Sequence, residues 1–185
     1  MTTLLKLPAL ETLRLIVREL EMRDADDFST YMTRSDYQRH IAVKLATAQS
    51  IRNHVTRAVS RQSQKARNAF VFAGEFKQNG IVVADGFILC HGSLAEVGWG
   101  VNPDFWRLGF GLELGRVLMA QAFERLECDR VWCKVMGGNA ASMRLAARIG
   151  MKSIKSHPDF PVGGGRFESI EFFAMTGREY FEAAY

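Results

Sequence analysis

The sequence predicts an α/β (α+β) fold in one domain, and three observations lead to that expectation. Three apolar segments rich in β-branched residues follow one another between residues 69 and 101, joined by short turns. A strand, a glycine loop and a long helical pattern then occur in succession between residues 96 and 127. No repeat or linker interrupts residues 1–185, a length that suits one domain with a substantial core. Strands in series joined by short turns favour antiparallel pairing.

The amino-terminal part predicts a strand followed by a helix. Residues 12–20 alternate between two sets of side chains, which is the period of a strand. A first helix is expected over residues 24–33, with Asp24 as its cap, because a carboxylate accepts hydrogen bonds from the free N–H groups of a first turn. Residues 34–46 are expected to be irregular.

A second helix is expected to begin at Thr47 or Ser50, in a segment rich in basic residues. Its apolar stripe consists of Ile51, Val55, Ala58 and Val59. No acidic residue occurs between Asp36 and Glu75, and this interval holds seven cations: Arg39, Lys44, Arg52, Arg57, Arg61, Lys65 and Arg67. The chain has a formal net charge of +4, so the remainder is slightly acidic. The basic segment 39–67 is either a solvated helix face or a surface for an acidic partner such as ribosomal RNA or an acidic protein.

The central part predicts most of the sheet. Residues 69–76 and 81–90 are apolar, and Asn79-Gly80 between them is a strong hairpin signal. Further strands are expected at 93–101, 130–136, 151–156 and 167–176. The glycine run 163–165, together with Pro158 and Pro161, predicts a loop between the last two strands.

Two helices are expected in the carboxyl-terminal half. The first covers residues 112–127, where apolar residues recur at helical spacing: Met119, Ala122, Phe123 and Leu126. The second is capped by Asn139 and ends at Gly150, with its buried side formed by Met143, Ala146 and Ala147.

Composition excludes several other classes of protein. No apolar run approaches the roughly 18 residues that a membrane span needs. The three cysteines, Cys90, Cys128 and Cys133, are too few and too scattered for a disulfide framework or a zinc site. We therefore expect a cytoplasmic protein without a metal, either a monomer or a homodimer.

The stretch from Glu96 to Gly111 is the most informative part of the chain. Pro103 ends the strand that begins at Glu96, because proline offers no N–H to a ladder. Glycines at 109 and 111 then precede a helix. Loop and first-turn N–H groups can converge there on a phosphate, and glycine lets the backbone approach the anion closely. Gly-x-Gly alone can equally be an ordinary turn between a strand and a helix, but Arg107 places a cation beside the loop.

Two segments together resemble one family. The first is Trp106-Arg107-Leu108-Gly109-Phe110-Gly111, and the second begins at Asn139-Ala140-Ala141-Ser142 and continues to Gly150-Met151. They resemble the GCN5-related N-acetyltransferases (GNAT), and within them the RimJ/RimL-like branch that acetylates the N-termini of ribosomal proteins. Trp106 departs from the Gln or Arg of the general family pattern. The resemblance covers about residues 11–176 and implies a mixed, mostly antiparallel, splayed sheet flanked by helices.

The resemblance also implies a co-substrate, acetyl-CoA, and the residues that bind it. Backbone groups of the splayed strand would hold the pantetheine arm, and the glycine loop would hold the pyrophosphate. The implied acetyl-CoA-binding residues are Trp99, Gly100, Val101, Trp106, Arg107, Leu108, Gly109, Phe110, Gly111, Leu112, Asn139 and Ser142.

The reaction expected from this resemblance is direct transfer of acetyl to a primary amine. The amine must lose a proton, and the departing thiolate must gain one. By resemblance, Glu96 is the candidate base acting through water, and Ser142 is the candidate proton donor to the sulfur. Their alternatives are a solvated strand residue and a hydroxyl that satisfies a helix terminus. The carboxylate that the RimL pattern places after the sixth strand falls near Pro161 here, so Asp159 or His157 would have to replace it.

A protein N-terminal amine is the leading acceptor, with a small-molecule amine such as an aminoglycoside or an amino acid second. The rivals from other classes are a non-catalytic acyl-CoA-binding module and an RNA-associated protein. Glu96 and Ser142 together favour an enzyme over both rivals.

Overall fold

An eight-stranded sheet with helices on both faces forms the body of the protein. The computed structural model describes residues 6–41, 44–45 and 47–183. In chain order, the strands are Leu10–Glu11 (β1), Leu15–Glu19 (β2), Ala69–Phe76 (β3), Val82–His91 (β4), Leu94–Val101 (β5), Arg130–Met136 (β6), Lys152–Gly163 (β7) and Arg166–Thr176 (β8). The helices of these described residues are Asp24–Tyr31 (α1), Ser35–Gln38 (α2), Ala48–Arg61 (α3), Phe110–Ala120 (α4), Ala140–Ile149 (α5) and Gly177–Ala183 (α6).

The sheet is mostly antiparallel and opens at one strand pair. The strand order is β1-β2-β3-β4-β5-β6-β8-β7, and only the β5–β6 pair is parallel. That pair spans only three positions, from Leu94–Arg130 to Glu96–Trp132, although β5 continues to Val101. Beyond Glu96 the two strands part. The expected mixed, largely antiparallel, splayed sheet is therefore confirmed.

Apolar side chains are buried on both faces of the sheet. On one face, α4 packs against β2, β4 and β5, and α5 packs against α4 and β7, with Leu114, Leu118 and Ala146 fully buried. On the other face, α1 and α3 cover β3 and β4 through Phe28, Ile51 and other apolar residues. Removing this surface from water is the main favourable contribution to folding. The two cores fix the position of β5 relative to the helices around it.

Several local signals act as the sequence predicts. The bounds of β3 and β6 coincide with the predicted segments, and Val131 and other inward residues of β6 are buried. Thr47 and Ser50 form a reciprocal capping box at the start of α3. The side chain of Asn139 caps α5 by accepting a hydrogen bond from the backbone N–H of Ser142. Gly150 ends α5 with φ 105°, a conformation that glycine adopts readily.

The predicted role of Asp24 is wrong. Asp24 does not cap α1 with its side chain, because its carboxylate is engaged by the guanidinium of Arg18 at 2.8 and 2.9 Å. Asp24 is buried, so its charge requires that partner. Residues 34–46 are not wholly irregular either, since α2 lies within them. Residues 42, 43 and 46 of that range lie outside the described residues.

In the carboxyl-terminal half, one predicted helix is present with different bounds, and two further predictions are wrong. The predicted helix 112–127 begins earlier, at Phe110, and is followed by a π-helical turn at Gln121–Arg125, where Leu126 bonds back to Gln121. Ala147 is exposed on α5. Strand β7 continues through Pro158 and Pro161, which the sheet tolerates because β7 is an edge strand with register shifts at these positions.

Candidate active site

A cavity of about 750 Å³ opens beside the splayed end of β5. It is bounded by β5, the loop before α4, α5 and residues around α2. Eleven of the residues predicted to bind acetyl-CoA line this cavity: Trp99, Gly100, Val101, Trp106, Arg107, Gly109, Phe110, Gly111, Leu112, Asn139 and Ser142. Leu108 and Glu96 do not line it, and Leu108 is exposed. The fold thus brings the two halves of the motif to one site.

The loop before α4 presents a row of backbone donors. Gly109 has φ 89° and precedes the first turn of the helix, and Arg107 is also in the left-handed region with φ 64°. Within the described chain, no backbone partner is found for the N–H groups of residues 107–111. A Cβ on Gly111 would come within 3.0 Å of the side chain of Leu145. Free N–H groups at a helix amino terminus are suited to bind a phosphate.

Four arginines add positive charge to the same cavity. Arg39, Arg107, Arg144 and Arg148 all line it, and none forms an ion pair with a described residue. Arg144 and Arg148 are four residues apart on α5 and therefore lie on one face of the helix. Sequence analysis missed these two residues as site residues, although their spacing on a helix with an Asn cap was a usable signal.

Ser142 is held at the cavity wall by two hydrogen bonds. Its backbone N–H donates to Oδ1 of Asn139 at 3.1 Å, and its Oγ accepts a 3.0 Å hydrogen bond from Nε1 of Trp99. The Trp99 bond joins the splayed strand to α5. Oγ uses a lone pair to accept the hydrogen bond from Trp99. The hydroxyl proton of Ser142 is therefore free to be donated toward the cavity.

Glu96 lies where β5 and β6 begin to part. Its Oε1 forms an ion pair with Nζ of Lys134 at 3.0 Å, and its side chain is 12% exposed. Nζ of Lys134 also lies 5.5 Å from the ring centroid of Trp132. Glu96 shares one face of β5 with Gly98 and Gly100, because side chains alternate along a strand. The structure therefore places Glu96 on a face that reaches the cavity farther along the strand, at Gly100.

A second carboxylate on this face was missed by sequence analysis. Asp85 of β4 pairs with Gly100 of β5. Its Oδ1 accepts hydrogen bonds from the hydroxyls of Tyr37 at 2.6 Å and Tyr31 at 3.1 Å. Burial raises the pKa of Asp85 to about 6, while the two tyrosine hydrogen bonds act in the opposite direction. Tyr37, but not Tyr31, lines the cavity.

The two predicted substitutes for the missing carboxylate lie on β7. Asp159 is exposed, and neither Asp159 nor His157 lines the cavity. The ring of His157 packs edge-on against Phe160, with centroids 5.6 Å apart. In the described part of the chain, no cluster of three or more potential ligands could hold a metal ion. No helix there is long and apolar enough to cross a membrane.

Comparison with known proteins decides the family. Residues 14–152 match the sequence pattern of a family described as "Acetyltransferase (GNAT) domain". The protein is a GNAT acetyltransferase. A Bacillus licheniformis relative, named "Uncharacterized N-acetyltransferase p20", is 24% identical over 174 residues, which cover 92% of this chain and 97% of the relative.

Solved structures of GNAT acetyltransferases share the fold. A GNAT-family acetyltransferase from Bacillus anthracis superimposes with a TM-score of 0.81 at 19% identity, covering 92% of this chain and 99% of the other. A ribosomal-protein-S5-alanine acetyltransferase from Vibrio fischeri gives a TM-score of 0.76 at 15% identity, covering 92% and 97%. Identities this low establish a common fold, and the acceptor must be argued from the site itself.

The GNAT family implies acetyl-CoA as the co-substrate, and the cavity fits it. The molecule combines a flexible arm with a pyrophosphate and a further phosphate. The free N–H groups of residues 107–111 would provide donors for these phosphates, and Arg107, Arg144 and Arg148, which have no ion pair among the described residues, would provide positive charge. The splayed edge of β5 would provide backbone groups for the arm.

Proposed function

We propose that this GNAT acetyltransferase acts on a protein N-terminal amine, in the manner of the RimJ/RimL-like branch. The observation that carries the proposal is the shared cavity, in which the glycine loop, the splayed strand and Ser142 meet beside residues of α2. Trp106 at the start of the loop is the residue expected in that branch.

Acetyl-CoA supplies an activated acyl group as a thioester. In our proposal, the loop of residues 108–112 holds the pyrophosphate through the free N–H groups of residues 108–111, together with the guanidinium of Arg107. Trp99 to Val101 hold the arm through their backbone, since β5 no longer pairs with β6 there; the carbonyl of Val101 also accepts a 2.7 Å hydrogen bond from Nε1 of Trp106. A backbone N–H of this edge would also stabilise the negative charge that develops on the acyl oxygen during attack.

Ser142 would donate a proton to the departing sulfur. Its Oγ accepts from Trp99, which leaves its own proton available. Asn139 holds the first turn of α5 in place through the backbone N–H of Ser142, so that the hydroxyl has a defined position. Asn139 thereby has two proposed roles, which are to cap the helix and to contact the coenzyme arm.

The proton of the attacking amine needs an acceptor. Glu96 was predicted for this role through a water molecule, and its position on the same face of β5 as Gly100 is compatible with that role. Its carboxylate already holds Lys134 as a counter-ion. Asp159 would be the next candidate from the sequence, but it is exposed on β7. The proton acceptor is therefore the part of the mechanism that most needs a test.

The acceptor proposal is tested by release of free thiol from acetyl-CoA. The substrates would be synthetic peptides that carry the amino-terminal sequences of ribosomal proteins. Matched controls would have the same sequences with a blocked N-terminus and a free lysine side chain. We expect acetylation of the free N-terminus of at least one peptide and none of the blocked peptides. Transfer to lysine side chains, or to aminoglycosides and amino acids only, would overturn the proposed acceptor.

A further inference from the structure

We propose that Asp85 accepts the proton of the acceptor ammonium through the hydroxyl of Tyr37, at the Gly100 side of the cavity. The proposal rests on transfer to a primary amine, but it does not depend on which amine is the acceptor. Asp85 is a positioning residue in this scheme, and Tyr37 is the group that contacts the substrate. The role differs from that predicted for Glu96, because it is assigned to another strand and another hydrogen-bonding path.

The first argument is the connection between carboxylate and cavity. Tyr37 lines the cavity, and its hydroxyl donates a 2.6 Å hydrogen bond to Oδ1 of Asp85. Tyr31 donates to the same oxygen at 3.1 Å but is fully buried in the core beneath α1. Tyr37 is therefore the route by which a proton from the cavity can reach Asp85, and Tyr31 only supports the carboxylate.

The second argument is the missing side chain at Gly100. A Cβ there would overlap the Tyr37 hydroxyl and would lie 2.6 Å from Oδ1 and 3.0 Å from Oδ2 of Asp85. Glycine thus allows both groups to approach the backbone of β5, at the point where the strand no longer pairs with β6. In the proposed function, this backbone holds the thioester. The path from Asp85 therefore ends beside the acyl group.

The third argument is that the Asp85 carboxylate lacks a cation. In the described parts of the chain, no lysine or arginine forms an ion pair with Asp85, and Oδ2 accepts no hydrogen bond. The titratable groups that face it are Tyr31 from α1 and Tyr37 from α2, while the neighbouring strands contribute Ala73 and Gly100. A carboxylate without a cation at this partly buried position is costly if it serves packing alone. A carboxylate without a cation can gain and lose a proton near neutral pH, as a proton acceptor in catalysis must do.

The proton transfers balance as follows. The ammonium gives one proton to the Tyr37 oxygen while the Tyr37 hydroxyl gives its own proton to Oδ1 of Asp85. The neutral amine then forms the C–N bond with the acyl carbon, and the C–S bond breaks. Ser142 gives its proton to the departing sulfur and regains one from the nitrogen. Asp85 returns its proton to solvent through Tyr37 after the product leaves.

The scheme predicts how kcat/KM depends on pH. In the wild-type protein, kcat/KM should rise through a limb near pH 6, because burial raises the pKa of Asp85 to about 6 and only the ionised form accepts a proton. Asp85→Asn should remove this limb and lower kcat/KM by roughly 10²–10⁴-fold. The variant should still fold, because an asparagine carbonyl can accept the same two tyrosine hydrogen bonds. Acetyl-CoA affinity should be unchanged.

Two tyrosine variants separate catalysis from structure. Tyr37→Phe should lose rate as Asp85→Asn does, because the carboxylate is intact but disconnected from the cavity. Tyr31→Phe should instead move the limb to higher pH and keep the plateau rate, since it removes one donor that favours the ionised carboxylate. Asp104→Asn changes an exposed carboxylate and serves as the control.

The assay would use a peptide with a free N-terminus and, in parallel, a small primary amine. The same limb with both acceptors supports the assignment, because the limb belongs to the enzyme. Acetylation of the small amine alone would refute the proposed N-terminal acceptor and leave Asp85 testable. A wild-type profile for both Asp85→Asn and Tyr37→Phe would overturn the inference. The inference would also be overturned if Glu96→Gln, and not Asp85→Asn, removed the limb near pH 6 from the kcat/KM profile.

Discussion

Nε1 of Trp99 donates a 3.0 Å hydrogen bond to Oγ of Ser142, and this bond links the splayed strand β5 to the first turn of α5. Trp99 lies in the stretch from Glu96 to Gly111, Ser142 lies in the segment from Asn139 to Met151, and both line the cavity. The hydrogen bond uses a lone pair of the hydroxyl and leaves its proton free. This geometry leads to a specific expectation for the leaving-group step.

Ser142→Ala should lower kcat, with little rescue at high pH, because the departing thiolate would still lack its donor. Acetyl-CoA affinity should change little, since the loop at 108–112 is intact. Ser60→Ala removes an exposed hydroxyl on α3 and is the matched control. The measurement is a pH–rate profile with the best acceptor. A profile like that of the wild type would reduce Ser142 to a residue of the first helical turn.

Glu96→Gln tests the base predicted from the sequence. If Glu96 receives the amine proton through water, kcat/KM should fall by roughly 10²–10⁴-fold. The loss should shrink as pH rises, because more of the amine is then already neutral. Lys134→Met removes the counter-ion of Glu96 and shows whether the ion pair matters to the rate. If Glu96→Gln instead retains full activity across the pH range, the ion pair is only structural.

Fewer cations of the basic segment 39–67 are free on the surface than its sequence indicates. Arg67 forms a buried ion pair with Glu19, with one N···O distance of 3.0 Å, and Arg52 pairs with Asp26. Arg57 and Arg61 remain on α3, where they border a small cavity of about 170 Å³. Burial, and then these two arginines, lower the pKa of the neighbouring His54. A surface for an acidic partner would therefore centre on Arg57 and Arg61.

Reversing Arg57 and Arg61 to glutamate should weaken the reaction with an acidic partner specifically. Activity on that partner should also fall as salt increases, whereas acetyl-CoA affinity should change less. Arg125→Glu, at an exposed position outside the segment, is the control. Steady-state rates at several salt concentrations provide the measurement. Equal rates for all three proteins with every acceptor would identify the segment as a solvated helix face.

Local signals in the sequence predicted most elements of the fold. These signals each act within a few residues of the chain: the apolar composition of 69–76, the alternation over 130–136, the capping residues Thr47 and Asn139, and Gly150. The errors arise where distant residues compete with a local preference. The carboxylate of Asp24 binds Arg18 instead of capping α1, and the edge position of β7 accommodates two prolines that, from the sequence alone, predicted a loop.

The same distinction between local and distant interactions explains which site residues could be predicted from the sequence. The glycine loop and Ser142 are contiguous motifs, so they could be named from the sequence. Asp85 could not, because its environment depends on Tyr31 and Tyr37, about fifty residues away, and on a glycine across the sheet. The sequence around Asp85 is an ordinary strand pattern. Only the fold shows that no lysine or arginine among the described residues pairs with its carboxylate beside the cavity.

Acetyl-CoA binding by the loop before α4 is the central claim, and the most direct test is the stability of wild-type protein and Gly109→Val with and without acetyl-CoA. At 100 times its dissociation constant for the wild type, acetyl-CoA should raise the free energy of unfolding by about 2.7 kcal/mol. Valine cannot readily adopt φ 89°, so the variant should lose this increase while its apo form still folds. Full stabilisation of Gly109→Val by acetyl-CoA would contradict the account and would reduce the loop to a turn.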